Sequence, residues 1–187
     1  MAGIGGFANI LTSDVTIEES TVFPSPRENY FEMVGITAHE VGHQTFRYAE
    51  ERYLGWAPWN GASYETTVRE EAVAVLFRAL VGSQLSDPGE RFLVIGNIQT
   101  LAEKHYEGKQ DYGLNEGAAL ADAALTLYSD PRQAYAAMTT PGPLDPALRA
   151  IIEENRTLYL EVKALMKEDA RNSQNLREKL QQIIDSK

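Results

Sequence analysis

Two of the three histidines in this 187-residue chain, His39 and His43, stand four positions apart in ITAHEVGHQ, with Glu40 directly after the first. On a helix, residues i and i+4 lie about 40° apart around the axis and one turn apart along it, so the two imidazoles face the same way and can chelate one ion. Glu40 lies on the same side, one position on. Its carboxylate therefore sits beside a bound ion rather than on it, where it can take a proton from water. Gly42 leaves the backbone near the second histidine uncrowded. The chain has no cysteine, so a transition ion has to be held by His, Asp, Glu, Tyr or water.

The pattern is the His-Glu-x-x-His arrangement of zinc peptidases. A catalytic zinc takes three protein ligands and keeps one position open for water. His105, the remaining histidine, falls in KHYEG at a helix end and reads as a solvated terminal residue, which leaves an acid as the expected third ligand. Two downstream segments supply one: TTVREEAVAVLFRAL, with Glu70 and Glu71, and GLNEGAALADAAL, with Glu116. Ala74, three residues after Glu71, is small where a helix must lie close under an ion, and Glu70 points about 100° away from Glu71.

These residues need helices to position them. Ser25, Pro26 and Glu28 form a capping-box start for a helix running to about Leu54, where Gly55 offers a C-cap and WAPWNGAS reads as loop. Further helices are expected over about 64–83, 88–107, 115–128 and 131–139, with Asp87-Pro88 and Asp130-Pro131 as cap-plus-proline starts. Strand character is confined to the N-terminus, where Phe7–Leu11, a turn at Thr12-Ser13-Asp14 and VTIEESTV read as a hairpin or two edge strands. TTPGPLDP, at 139–146, reads as a linker. Beyond it, Leu148, Ile151, Ile152, Tyr159, Val162, Leu165 and Met166, then Leu176, Leu180, Ile183 and Ile184, recur at helical spacing among charges. That describes a long and a shorter amphipathic helix. The expected organisation is one domain over 1–140 and a helical tail over 141–187 that packs on it or on a partner, with a helix-mediated dimer as one outcome.

A net charge of −10 and a pI near 4.8 argue against nucleic acid or an anionic membrane surface as partner, because most of the surface repels polyanions. MAGIGGFANILTSD has neither a basic stretch nor an apolar run of signal-peptide type, and no apolar run approaches the ~20 residues that span a bilayer. A soluble chain is expected.

The stretch SYETTVREEAVAVLFRAL, 63–80, resembles the glutamate helix of the anthrax-lethal-factor type of zinc peptidase, with Ser63, Tyr64, Thr67, Glu71, Ala74, Phe77 and Arg78 at the matching places. The resemblance implies Glu71 as third ligand to Zn²⁺ with His39 and His43, and Tyr64 as a donor to the tetrahedral oxyanion. It also implies a zincin-like fold of gluzincin type, α+β and mostly α-helical. Such a fold has an edge strand for the substrate just before the active-site helix, here GGFANIL in a small N-terminal β element, whose small residues Gly5, Gly6 and Ala8 would let a substrate backbone pair alongside; in this chain the C-terminal helical tail read above follows it. The implied function is a zinc metalloendopeptidase acting on a peptide or protein, with Glu40 as general base. The alternative is a catalytically inactive interaction or sensing module. Glu40 separates the two, since an inactive module has no need of a general base.

Overall fold

The computed structural model describes residues 5–9, 14–18, 26–54, 64–96, 98–109, 113–169 and 181–182. Two five-residue strands, β1 (Gly5–Asn9) and β2 (Asp14–Glu18), pair antiparallel with Gly5 opposite Glu18 and Asn9 opposite Asp14. Seven helices follow among the described residues: α1 (Pro26–Leu54), α2 (Tyr64–Ser83), α3 (Pro88–Ile95), α4 (Ile98–Tyr106), α5 (Leu114–Tyr128), α6 (Pro131–Thr139) and α7 (Pro146–Asp169).

The α+β, zincin-like expectation is corrected by this architecture. The described chain is overwhelmingly helical, and its core is built by helix on helix. The β-branched residues around Val15 and Ile17 do pair locally, but ten extended residues make a lone hairpin lying along α1, not a sheet layer.

The helix α2 is the hub. It packs against α1, α3, α5 and α6, and its Ala72, Val73, Ala74 and Leu76 are fully buried. Against it α5 presents Gly117, Ala121 and Ala124, whose small size lets two backbones approach closely. Arg69 of α2 donates to the carbonyls of Met138, Thr140 and Gly142, satisfying acceptors that the end of α6 leaves open. Leu148 seats α7 on this core, and α7 lies against α5 and α4.

Three helices begin with the same local chemistry. Asp87 Oδ1 accepts from the Gly89 and Glu90 amides at 2.7 and 3.0 Å, Asp130 Oδ1 from Arg132 at 2.9 Å, and Asp145 Oδ1 from Ala147 at 2.9 Å, each Asp followed by proline. The third of these lies at the end of the stretch read as linker.

The helix expected over 88–107 is instead two, broken at Gly96, whose φ of +58° is a left-handed conformation suited to glycine. The Arg78 guanidinium occupies the space a Cβ there would need, and its Nε donates to the Val94 carbonyl. The shorter C-terminal helix expected around Leu176–Ile184 lies almost wholly outside the described residues. No helix among the described residues is long and apolar enough to cross a membrane.

Candidate metal centre

The site lies where α1 crosses α2, and the crossing is close. A Cβ built on Gly42 would fall 2.5 Å from the Ala74 Cα, so the glycine of one helix rests on the alanine backbone of the other. His39 and His43, one turn apart on α1, are thereby held over Glu71, one turn before Ala74 on α2. On the other side of α2, α5 presses in at the same level. A Cβ on Gly117 would lie 3.0 Å from the Val68 carbonyl oxygen and would overlap the Glu71 Cβ.

The result is a convergence of three donors. His39 Nε2 and His43 Nε2 are 3.2 Å apart, and Glu71 Oε2 is 3.6 Å from the first and 3.8 Å from the second. Two imidazole nitrogens and one carboxylate oxygen, all within 4.8 Å of one another, form a group able to hold a metal ion. Among the described residues it is the one such group.

Glu40 is 7% exposed, buried beside this group, and its charge reaches His43. Burial alone would lower the His43 pKa. The hydrogen bond with Glu70 and the charges of Glu71, Glu70 and Glu40 outweigh burial and raise it above 6.5. His39 behaves oppositely. Burial, then the charge on His43, then Arg78, push it down to about 3. One histidine thus favours its proton and its neighbour refuses one.

The remaining candidates fall elsewhere. Tyr64, the first residue of α2, is 58% exposed, and its hydroxyl donates to Glu116 Oε2 at 2.7 Å. That hydrogen bond, with smaller contributions from burial and the Glu116 charge, raises the phenol pKa. Glu116, the other acid considered as ligand, is thus engaged by Tyr64 and stands outside the donor group. His105 sits in the last turn of α4, also outside it.

Glu70 is the residue that reasoning from angles alone misjudged. It does point away from Glu71, but toward the far nitrogen of His43, with Oε1 3.1 Å from Nδ1. The available signal was the Glu70-Glu71 pair itself. Two adjacent acids facing a histidine with two ring nitrogens can serve one nitrogen each. Comparison with protein-family models, with curated proteins and with solved structures gives no significant match for this chain.

Proposed function

We propose that the protein is a zinc-dependent metalloendopeptidase, with His39, His43 and Glu71 as the zinc ligands and Glu40 as the general base. The observation that carries this reading is the convergence of His39 Nε2, His43 Nε2 and Glu71 Oε2 with the buried carboxylate of Glu40 beside them. The donor set fits zinc, which takes two imidazoles and a carboxylate in hydrolytic sites. A bound zinc ion supplies Lewis acidity, polarising a carbonyl and acidifying water. The resemblance of 63–80 to a peptidase glutamate helix supports the same assignment.

The chain's own side chains then divide the work. Glu70 accepts from His43 Nδ1, which fixes the tautomer and leaves the Nε2 lone pair for the ion. Glu40 accepts a proton from the attacking water and returns it to the leaving amine. Tyr64 donates to Glu116 in the absence of substrate, so acting as an oxyanion donor requires the phenol to exchange that partner. Its raised pKa keeps the proton available.

The test combines elemental analysis with a protein-substrate assay. One equivalent of zinc in the parent, lost in His39→Ala and Glu71→Gln and retained in Glu40→Gln with hydrolysis reduced about 10²–10⁴-fold, is the expected pattern. Undiminished hydrolysis by Glu40→Gln overturns the general-base assignment. Zinc bound by a parent that hydrolyses no peptide bond would make this a non-catalytic metal-binding module.

A further inference from the structure

A second polar group, sharing no residue with the metal centre, lies in the cleft that α4, α5 and α7 form between them. The cleft is a cavity of about 820 Å³, within the range of small-molecule sites. Ala102 and Tyr106 line it from α4, Asp122 from α5, and Asn155, Leu158 and Val162 from α7.

Its buried end carries hydrogen-bonding capacity that the protein leaves unused. Tyr106 is 5% exposed, yet its hydroxyl has no hydrogen-bond partner among the described residues. The Asn155 amide beside it makes at most a weak hydrogen-bonding contact, which opposes burial and the Asp122 charge, and these raise the phenol pKa. Asn155 Nδ2 donates a long bond, 3.4 Å, to Asp122 Oδ2, which leaves the amide oxygen as a further acceptor. Burial pushes the Asp122 carboxyl above the usual carboxylate range. A buried polar group without a partner is costly, and three acceptors at the buried end of the cleft describe what would satisfy them.

We propose that this cleft binds a small primary amine, its ammonium group donating to the Asp122 carboxylate, the Asn155 amide oxygen and the Tyr106 hydroxyl, with its hydrocarbon along Ala102, Leu158 and Val162. An ammonium has three donors and no acceptor, which suits the acceptors of Asp122, Asn155 and Tyr106. The Tyr106 ring adds an aromatic face that favours a cation, while that of Tyr159, 5.9 Å away between centroids, already carries the Lys163 ammonium at 5.5 Å. An anionic ligand fits poorly. Of the lysines that line the cleft, Lys163 is taken by Glu107 and Lys167 stands at the exposed end. A metal ion fits poorly as well, since Asp122 and Glu103, the acids lining the cleft, belong to no group of three ligands able to hold one among the described residues.

The experiment is a titration of the full chain, with chelator present, using phenethylamine, phenethyl alcohol and phenylacetate as probes of one shape and three charges. Amide chemical shifts and calorimetry read the binding. Saturable binding of the amine, with shifts centred on Tyr106, Asp122 and Asn155, is expected, together with at least a tenfold weaker response to the alcohol and to phenylacetate. Asp122→Asn should weaken amine binding at least tenfold, and Tyr106→Phe, which keeps the ring, should weaken it by a smaller factor. Absence of saturable amine binding overturns the proposal, as does equal binding of the alcohol. Unchanged affinity in Tyr106→Phe, or in an Asp122→Asn variant whose circular dichroism shows it folded, overturns it too.

Discussion

At the scale of single residues, His43 stands between two acids with different tasks. Its Nε2 faces Glu71 and its Nδ1 faces Glu70 at 3.1 Å. Glu70→Ala removes the group that orients the ring and should weaken metal affinity about 10–100-fold, while Glu70→Gln, whose amide oxygen still accepts from Nδ1, should lose less. A chelator competition measures both, and parent-like affinity in Glu70→Ala would reduce Glu70 to a bystander. Proton bookkeeping follows from the same geometry. Below its raised pKa, His43 holds a proton that an ion needing both Nε2 lone pairs must displace. Metal affinity should therefore rise with pH, by about tenfold per unit below that pKa, and level off above it. Calorimetry in buffers of different ionisation heat should register the released proton, and identical heats in all of them at pH 6–7 would contradict the assignment. In the metal-free protein His39 adds a pH dependence of stability of its own. Between 6.5 and about 3 the unfolded chain takes up a proton that the folded one refuses, so stability falls as the pH drops through that window.

At the scale of elements, the site depends on how closely α1 and α2 approach. Gly42→Ala on a solvent-facing helix would stabilise by about 1 kcal/mol through helix propensity. Here the added methyl meets the Ala74 backbone, which cannot rotate aside, so the sign reverses and the variant should lose about 1–3 kcal/mol. Separation of the two helices also carries the histidines away from Glu71, so metal affinity should fall with stability. A denaturant midpoint above that of the parent would show the crossing to be looser than described. Gly96 illustrates a neighbouring dependence, since its left-handed turn lets Arg78 reach the end of α3 and bind the Val94 carbonyl.

At the scale of the whole molecule, the metal group lies at one crossing, while the main core is a helical cluster through α2, α5, α6 and α7 that includes Leu76, Met138 and Leu148. Ion binding should therefore stabilise the fold without creating it. With free zinc at 100 times its Kd, linkage adds about 2.7 kcal/mol, or about 5–10 °C in Tm for a chain of this size. Thermal melts with and without zinc should show that shift at unchanged helical content, and Glu71→Gln should abolish it. Loss of the helical signal on chelation would show instead that the metal is needed for folding.

The sequence by itself determined whatever a single turn of backbone can encode. His39 and His43 share a face because four residues make one turn, and α3 and α6 begin at Asp-Pro pairs because the cap and the proline act on amides two or three residues away. The boundaries of α1 and α2 were legible for the same reason, as was the local pairing of the N-terminal strands. The fold class was not, because β-branched residues at Val15 and Ile17 report a tendency to extend, and whether a hairpin grows into a layer depends on partners far along the chain. Which of Glu70, Glu71 and Glu116 lies beside both histidines was equally non-local. It was decided where Gly42 meets Ala74 and Gly117 meets the Glu71 turn, contacts that bring together residues about 30 to 50 positions apart, and it left Glu71 toward both histidines, Glu70 behind one of them and Glu116 bonded to Tyr64.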